Sequence, residues 1–193
     1  MILDFHTHRP LPDGVFTPRS FGIHPWHASD TKICLWPKPD IYDMIGECGL
    51  DKCCATDWTL QKEVFAAQLE QAEQQHKPVV IHCVRAFGEL MEMRKSYRST
   101  PWVVHGFTGT AELARQLHGQ GIDVSFGAAI LDCRHSKARK ALQAVGAENI
   151  FLETDDSDSS IFDIYREATI LLGIDINLLA DIINRHYSAL LKT

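Results

Sequence analysis

The chain has 193 residues, of which 45% are hydrophobic and 23% are charged, a composition typical of a folded domain with a sizeable core rather than of a disordered segment. Its formal net charge of −6 argues against nucleic-acid binding through a broad basic surface. No apolar run approaches the about 18 residues needed to cross a membrane, and the start lacks the pattern of a signal peptide. We therefore expect a cytoplasmic protein with no membrane partner.

Cysteine usage points to the same compartment. The chain contains six cysteines and no CxxC pair. They stand at positions 34, 48, 53, 54, 83 and 133. Because a chain of this size does not need disulfides for stability, we interpret them as reduced thiols. A structural metal site formed by Cys48, Cys53 and Cys54 is the alternative interpretation.

Short apolar runs alternate with helical patterns along the chain. The predicted strands cover 2–8, 20–26, 43–50, 78–83, 102–107, 122–127 and 150–155. The predicted helices cover 60–75, 111–118, 136–146, 160–172 and 177–191. Several strand runs lack polar alternation, as expected for parallel strands that are covered on both faces, and the alternation with helices predicts βαβ units.

The number of strand runs sets the expected architecture. Segment 9–21 is too short for a helix plus a strand, and the sequence shows no linker, repeat or low-complexity region. We predict an α/β fold, a TIM-like parallel β/α barrel reduced to seven strands, which forms a single domain over residues 1–193.

Residues that can bind metal ions end most of the predicted strands. In chain order they are His6, His8, Glu47, His82, His105 and Asp155. In a parallel β/α barrel the carboxyl ends of the strands share the rim that carries the active site. Because residues i and i+2 of a strand face the same way, His6 and His8 can chelate one ion together. Imidazole and carboxylate ligands therefore predict one or two divalent cations, such as Zn, Mg or Mn.

Each of these residues alone would be weak evidence. A histidine at a strand end is more often a structural residue than a ligand, and an acidic residue there is ordinary turn chemistry. The metal site is predicted because six such residues end successive strands. His24 differs from them because it precedes a proline in a predicted rim loop, and we expect it to contact substrate or a metal ligand instead of the ion.

Seven motifs follow one another across most of the chain. They are DFHTH (4–8), GIHPW (22–26), IGECGLD (45–51), FAAQLEQA (65–72), PVVIHCVRA (78–86), VVHGFTG (103–109) and FLETD (151–155). In this order the sequence resembles the TatD-like metallohydrolases of the amidohydrolase superfamily. Each motif is modest alone, whereas the ordered set is highly specific.

The resemblance also implies roles for individual residues. It implies His6, His8 and Asp155 around one ion, Glu47 between both ions, and His82 with His105 around the second. Asp155 and Glu47 would then be the catalytic carboxylates, with Asp155 taking the proton from the attacking water. Arg85 would face the pocket and bind substrate.

The chain departs from the family pattern in two places. Only fifteen residues separate His8 from His24, where the family has a helix–strand–helix passage, so one βα unit is expected to be absent. After FLETD the segment DSDSS (156–160) replaces a loop with an RG…N pattern, and no arginine occurs between Arg139 and Arg166. The predicted ligands are retained, and the predicted substrate-binding loops are changed.

These observations predict a metal-dependent hydrolase that cleaves phosphodiester bonds with a metal-activated water, as a deoxyribonuclease acting at DNA ends. Its partner would be a small substrate or a nucleic-acid end, and the oligomeric state is not predicted. One alternative is a hydrolase of a small phosphoester, ester or amide, and another is a non-catalytic metal-binding relative. A third is a phosphoesterase of the polymerase-and-histidinol-phosphatase type. That pattern closes with Asp-x-His, whereas this chain closes with Glu153-Thr154-Asp155.

Overall fold

A computed structural model describes residues 1–30, 37–134 and 136–192. The strands are β1 (Ile2–Leu3), β2 (Val15–Phe16), β3 (Ser20–Phe21), β4 (Met44–Asp51), β5 (Val79–Val84), β6 (Trp102–Val104), β7 (Ile122–Phe126) and β8 (Ile150–Leu152). The α-helices are α1 (Trp58–Gln75), α2 (Phe87–Arg94), α3 (Ala111–His118), α4 (Ser136–Val145), α5 (Ile161–Leu172) and α6 (Ile176–Leu190). Short 3₁₀ helices lie at Pro25–Asp30, Pro39–Ile41, Ala128–Leu131 and Ala147–Asn149.

Each predicted strand run contains an observed strand, and each predicted helix is present within two residues of its predicted ends. The sequence did not predict β2 or α2. Strand β2 is only two residues long, and α2 has no side-chain cap at its start and buries only Leu90, so neither leaves a clear pattern. Cys34, one of the predicted free thiols, lies outside the described residues.

The chain groups into two compact units. The terminal unit comprises Met1–Pro18 and His105–Lys192, and the central unit comprises Arg19–Val104. The single domain over 1–193 stays a prediction. None of the described helices is long and apolar enough to cross a membrane.

The central unit contains four parallel strands in the order β3-β4-β5-β6. Val79, Val80 and Ile81 of β5 are fully buried, as expected for a strand between two others. Asp57 caps the start of helix α1, because its side chain accepts a hydrogen bond from the Leu60 amide. From the same helix the buried Gln68 side chain accepts from the Ile23 amide and donates to the Ile23 carbonyl, at 2.6 and 3.1 Å. These bonds fix the segment that precedes His24.

In the terminal unit, β1 pairs in parallel with β2, and β7 pairs in parallel with β8. The chain after β1 then runs beside the chain after β8. The Phe5 amide donates to the Leu152 carbonyl at 2.9 Å, and the Asp155 amide donates to the His6 carbonyl at 2.9 Å. The Phe5 and Phe151 rings stack beneath this segment with centroids 4.2 Å apart. The pairing holds DFHTH against FLETD.

Candidate metal centres

The terminal unit brings together His6, His8 and Asp155. One ligand atom from each of these residues lies within 4.8 Å of the others. The Asp155 Oδ1 atom is 3.9 Å from His6 Nε2 and 3.7 Å from His8 Nε2. His6 is buried, whereas the side chains of His8 and Asp155 are 56% and 38% exposed. The group therefore has a protected side and a side that solvent or a substrate can reach.

Backbone pairing explains why these three side chains meet. The His8 amide donates to the Asp155 carbonyl at 3.1 Å, and Thr7 and Asp155 form a parallel bridge. Asp155 has a positive φ of 52°. Aspartate and asparagine tolerate this left-handed conformation better than most residues, because their short polar side chains can hydrogen-bond locally. Aspartate thus tolerates the backbone conformation at this position and also provides a carboxylate that can bind a metal ion.

His105 follows β6 along the chain and belongs to a second group in the terminal unit, together with Glu153 and Asp155. Its Nδ1 atom is 3.4 Å from Glu153 Oε1, and its ring centroid is 4.9 Å from that of His6. Glu153 is fully buried and accepts hydrogen bonds from the Gly106 amide at 2.6 Å and from the Ser125 hydroxyl. Burial raises the pKa of Glu153, but its contacts with His105 and Ser125 outweigh burial and hold that pKa below its usual value.

The sequence did not predict Glu153 as a possible ligand. The available signal was its position in FLETD, two residues before Asp155. His82 and His105 lie in different units, so their predicted pairing on one ion stays a prediction, as does the predicted position of Glu47 between two ions.

The central unit brings together His24, Glu47 and His82. The Glu47 Oε1 atom lies 3.3 Å from His24 Nε2 and 3.2 Å from His82 Nδ1. All three side chains are largely buried, with exposed fractions of 13–17%. Glu47 therefore faces two imidazoles in a site with little access to solvent.

An irregularity in β4 accounts for the orientation of Glu47. The register between β4 and β5 shifts between Ile45 and Cys48, and such a bulge changes the direction of a side chain. Gly46 permits the close approach of the strands, because a Cβ atom there would lie 2.4 Å from the Val80 carbonyl oxygen. The glycine and the bulge together direct Glu47 toward His82.

The donor sets fit a divalent cation in chemistry and in spacing. Ligand atoms about 2.1 Å from a tetrahedral zinc ion lie about 3.4 Å apart. The 3.2 Å separation of Glu47 and His82 in the central unit matches this value closely, and the separations of 3.7 and 3.9 Å in the terminal unit are slightly wider. Imidazole and carboxylate groups are also the ligand types that zinc, manganese and iron accept.

His24 has a hydrogen bond that bears on its role. The Trp26 amide donates to His24 Nδ1 at 3.3 Å, so a neutral His24 ring carries its proton on Nε2. That proton points at Glu47, 3.3 Å away. In this tautomer His24 donates a hydrogen bond to a metal ligand or to substrate, which favours the role expected from the sequence over direct metal binding.

Asp51, at the end of β4, was not predicted to have a role. Its Oδ2 atom lies 3.3 Å from His82 Nε2 and accepts a hydrogen bond from the Trp26 indole at 2.7 Å. Burial raises the pKa of Asp51, but hydrogen bonds from Trp26, the Cys53 amide and His82 lower it further, so its pKa lies below the usual value. An ionised Asp51 therefore holds the Nε2 proton of His82 and leaves Nδ1 facing Glu47.

Replacing Asp51 with asparagine should weaken metal binding. Trp26 and His82 share the Oδ2 atom and the Cys53 amide donates to Oδ1, so the NH2 group of an asparagine would face either the first two donors or the third. In both orientations the His82 ring loses its charged acceptor. Loss of such a partner typically lowers metal affinity 10–100-fold, and we expect that range for zinc titrated calorimetrically into chelator-treated protein. Asp43→Asn is the matched control, because Asp43 binds Arg19 outside the group. Zinc affinity within twofold of the wild type would remove Asp51 from this role.

Arg85 is exposed and directly follows β5, three residues after His82. Its φ of 54° places it at a sharp turn where the strand ends. This position agrees with a contact to substrate near the central group, and the role stays a prediction.

The DSDSS segment borders a cavity in the terminal unit with a volume of about 390 Å³, which is within the range of small-ligand pockets. The 9–12 segment forms one wall, and residues 157–161 form another. Arg9 joins the two walls, since its guanidinium donates to the Asp156 carbonyl at 2.7 Å and pairs with Asp158 at 2.9 Å. Thr154, next to Asp155, also lines the cavity.

Comparison with known proteins gives a consistent result. The profile of the family described as "TatD related DNase" matches residues 14–167. The "3'-5' ssDNA/RNA exonuclease TatD" of Pantoea vagans is 33% identical over 150 residues, covering 69% of this chain and 55% of that protein. The chain thus spans about half the length of the curated relatives it matches.

Solved structures are similar to the chain as well. The TatD homolog YJJV of Escherichia coli K12 has a TM-score of 0.79 at 19% identity and covers 94% of this chain and 78% of its own. A TatD family hydrolase from Entamoeba histolytica has a TM-score of 0.76 at 16% identity, covering 91% and 74%. At this level of identity the likeness concerns the fold, and it confirms the predicted α/β class with parallel strands.

Proposed function

Because this chain belongs to the family of TatD-related DNases, we propose that it is a metal-dependent nuclease that hydrolyses phosphodiester bonds at the ends of single-stranded DNA or RNA. The observation that carries the proposal is the convergence of His6, His8 and Asp155 on one point, with Asp155 partly open to solvent. The name of the Pantoea vagans relative supports the substrate and a 3'-to-5' direction.

We assign metal binding to His6, His8, Glu47, His82, His105 and Asp155. When bound, divalent cations supply polarisation of a phosphoryl oxygen and a lower pKa for an attacking water. Asp155 then orients that water and accepts its proton, because its carboxylate is the most exposed acidic group of the terminal-unit site. Glu47, buried between two imidazoles, provides charge to hold a cation.

The remaining residues would bind the substrate. His24 presents its Nε2 proton beside Glu47, and Arg85 presents a guanidinium at the end of β5. A local arginine suits a protein of net charge −6, since the surface as a whole does not attract phosphates. The five cysteines in the described residues are free thiols, which supports the expected cytoplasmic location.

The test is turnover by metal-loaded protein on four substrate types. These are single-stranded oligonucleotides, duplexes of the same sequence, generic phosphodiesters, and small esters or amides. We expect shortening of single strands from one end, slow attack on duplex interiors, and loss of activity with a chelator. Turnover of esters or amides alone would keep the hydrolase and discard the nuclease. No turnover of any substrate by fully metal-loaded protein would favour a non-catalytic relative.

Arg85→Ala should raise KM more than it lowers kcat. The physical reason is that an exposed guanidinium contributes mainly to binding the ground-state phosphate, and loss of such binding appears in KM. Steady-state kinetics on a single-stranded oligonucleotide would measure both values. Arg98→Ala is a control of the same charge change in the same unit, since the Arg98 guanidinium donates to the Lys95 carbonyl after α2. A variant that loses only kcat would assign Arg85 to the transition state.

A further inference from the structure

Trp26 is a large aromatic residue exposed at the edge of the central-unit metal group. It is 55% exposed, the largest exposed fraction among the phenylalanine, tyrosine and tryptophan residues that the structure describes. The 3₁₀ helix at Pro25–Asp30 carries it two residues after His24. Its ring centroid is 4.8 Å from that of His24 and 6.1 Å from that of His82. More than half of the Trp26 side chain thus faces solvent next to residues that would hold a cation.

The exposed ring is held in one position by its polar edge. The indole Nε1 donates to Asp51 Oδ2 at 2.7 Å, and Asp51 is itself almost fully buried. The Trp26 carbonyl accepts from the Thr56 hydroxyl at 3.2 Å, and its amide donates to His24. These contacts fix the backbone and the indole edge of Trp26. Because the side chain is already ordered, a ligand that packs on its exposed part costs little additional side-chain entropy.

We propose that Trp26 is a base-stacking subsite, on which a base of a single-stranded nucleic acid lies while the neighbouring phosphate lies beside the central-unit metal group. The inference rests on the proposed nuclease function and extends it to a specific contact. Proteins that bind single strands without sequence preference commonly stack bases on exposed aromatic side chains. The proposal explains how a chain of net charge −6 can hold a polyanion, since stacking requires no basic surface.

Trp58 provides a matched comparison in the same unit. Its ring is partly buried, and the Lys52 and Lys62 ammonium groups lie 5.2 and 5.9 Å from its centroid. Those contacts occupy the Trp58 ring, whereas the exposed part of Trp26 faces solvent. Loss of Trp58 should therefore leave base stacking unchanged.

The experiment compares two probes that differ only in their bases. One is a tetramer of deoxythymidine with phosphorothioate linkages, which slow hydrolysis, and the other is the same backbone without bases. Calorimetric titration into metal-loaded protein gives the affinity ratio of the two probes. We expect Trp26→Ala to reduce that ratio by roughly 5- to 150-fold, the range that corresponds to loss of one stacked base. Trp26→Phe should retain most of the ratio, and Trp58→Ala should keep it within twofold.

Two results would overturn the inference. One is an unchanged ratio in Trp26→Ala, including an equal loss of affinity for both probes, and the other is a wild-type protein that does not distinguish the probes. If circular dichroism shows that Trp26→Ala does not fold, tryptophan fluorescence of the wild type and of Trp26→Phe is measured instead. The thymidine tetramer should quench this fluorescence in the wild type and not in Trp26→Phe. Equal quenching in the two proteins would reject the subsite. Binding without turnover would reject the proposed nuclease and leave the stacking test valid.

Discussion

Replacing Asp155 with asparagine should lower kcat on a single-stranded oligonucleotide by about 10²–10⁴-fold, the usual effect of removing a general base. Asparagine is nearly isosteric with aspartate but cannot accept the proton of an attacking water. It also tolerates the positive φ of 52° at this position, so the fold should survive. Activity should therefore be lost without unfolding.

Metal content must be measured with the rate, because Asp155 also faces His6 and His8. Elemental analysis would separate a lost base from a lost ion, and thermal unfolding would confirm the fold. Asp156→Asn is the matched control, since it neutralises the neighbouring exposed carboxylate outside the ligand groups. Near-wild-type turnover by Asp155→Asn would remove Asp155 from the catalytic role.

The double replacement of His6 and His8 with alanine should remove at least one ion per chain and abolish turnover. The group of His6, His8 and Asp155 then keeps only one of its three ligands, which is too few to hold an ion there. The free energy of unfolding measured on metal-free protein should change little. The reason is that His8 is exposed and removal of the partly desolvated His6 ring relieves a buried polar group as well as losing contacts.

Elemental analysis of the double variant, purified beside the wild type, gives the result directly. His118→Ala is a control in the same unit, because His118 is about half exposed and lies near Asp123 instead of the ligand groups. Full wild-type metal content in the double variant would show that the ligand assignment is wrong.

The sequence alone predicted the elements that carry the site. Buried β-branched runs such as 78–83 indicate strands because few other structures accommodate them, and the helical period over 60–75 is long enough to be distinct. His6, His8, Glu47, His82, His105 and Asp155 could be selected because parallel strands place their carboxyl ends at one edge. Local patterns of this kind persist whatever the tertiary contacts are.

Side-chain orientation depended on tertiary structure. Glu47 faces His82 because the register of β4 against β5 shifts beside Gly46, and a register is a property of two strands together. In the same way, Asp51 gains its role from Trp26, which lies 25 positions away along the chain and donates to its carboxylate. Neither contact produces a periodic pattern in the sequence from which it could be predicted.

The loop after Asp155 also shows the difference between what the sequence predicts and what the tertiary structure decides. The resemblance to the family marked DSDSS as a departure from the family pattern, but the sequence did not indicate which contacts hold this segment. In the structure Arg9 binds Asp158 and the Asp156 carbonyl across nearly 150 residues of sequence, beside a cavity next to Thr154. The sequence thus determined which elements and ligand types this protein has. The tertiary structure decided which side chains face one another, because hydrogen bonds between distant segments form only once the chain has folded.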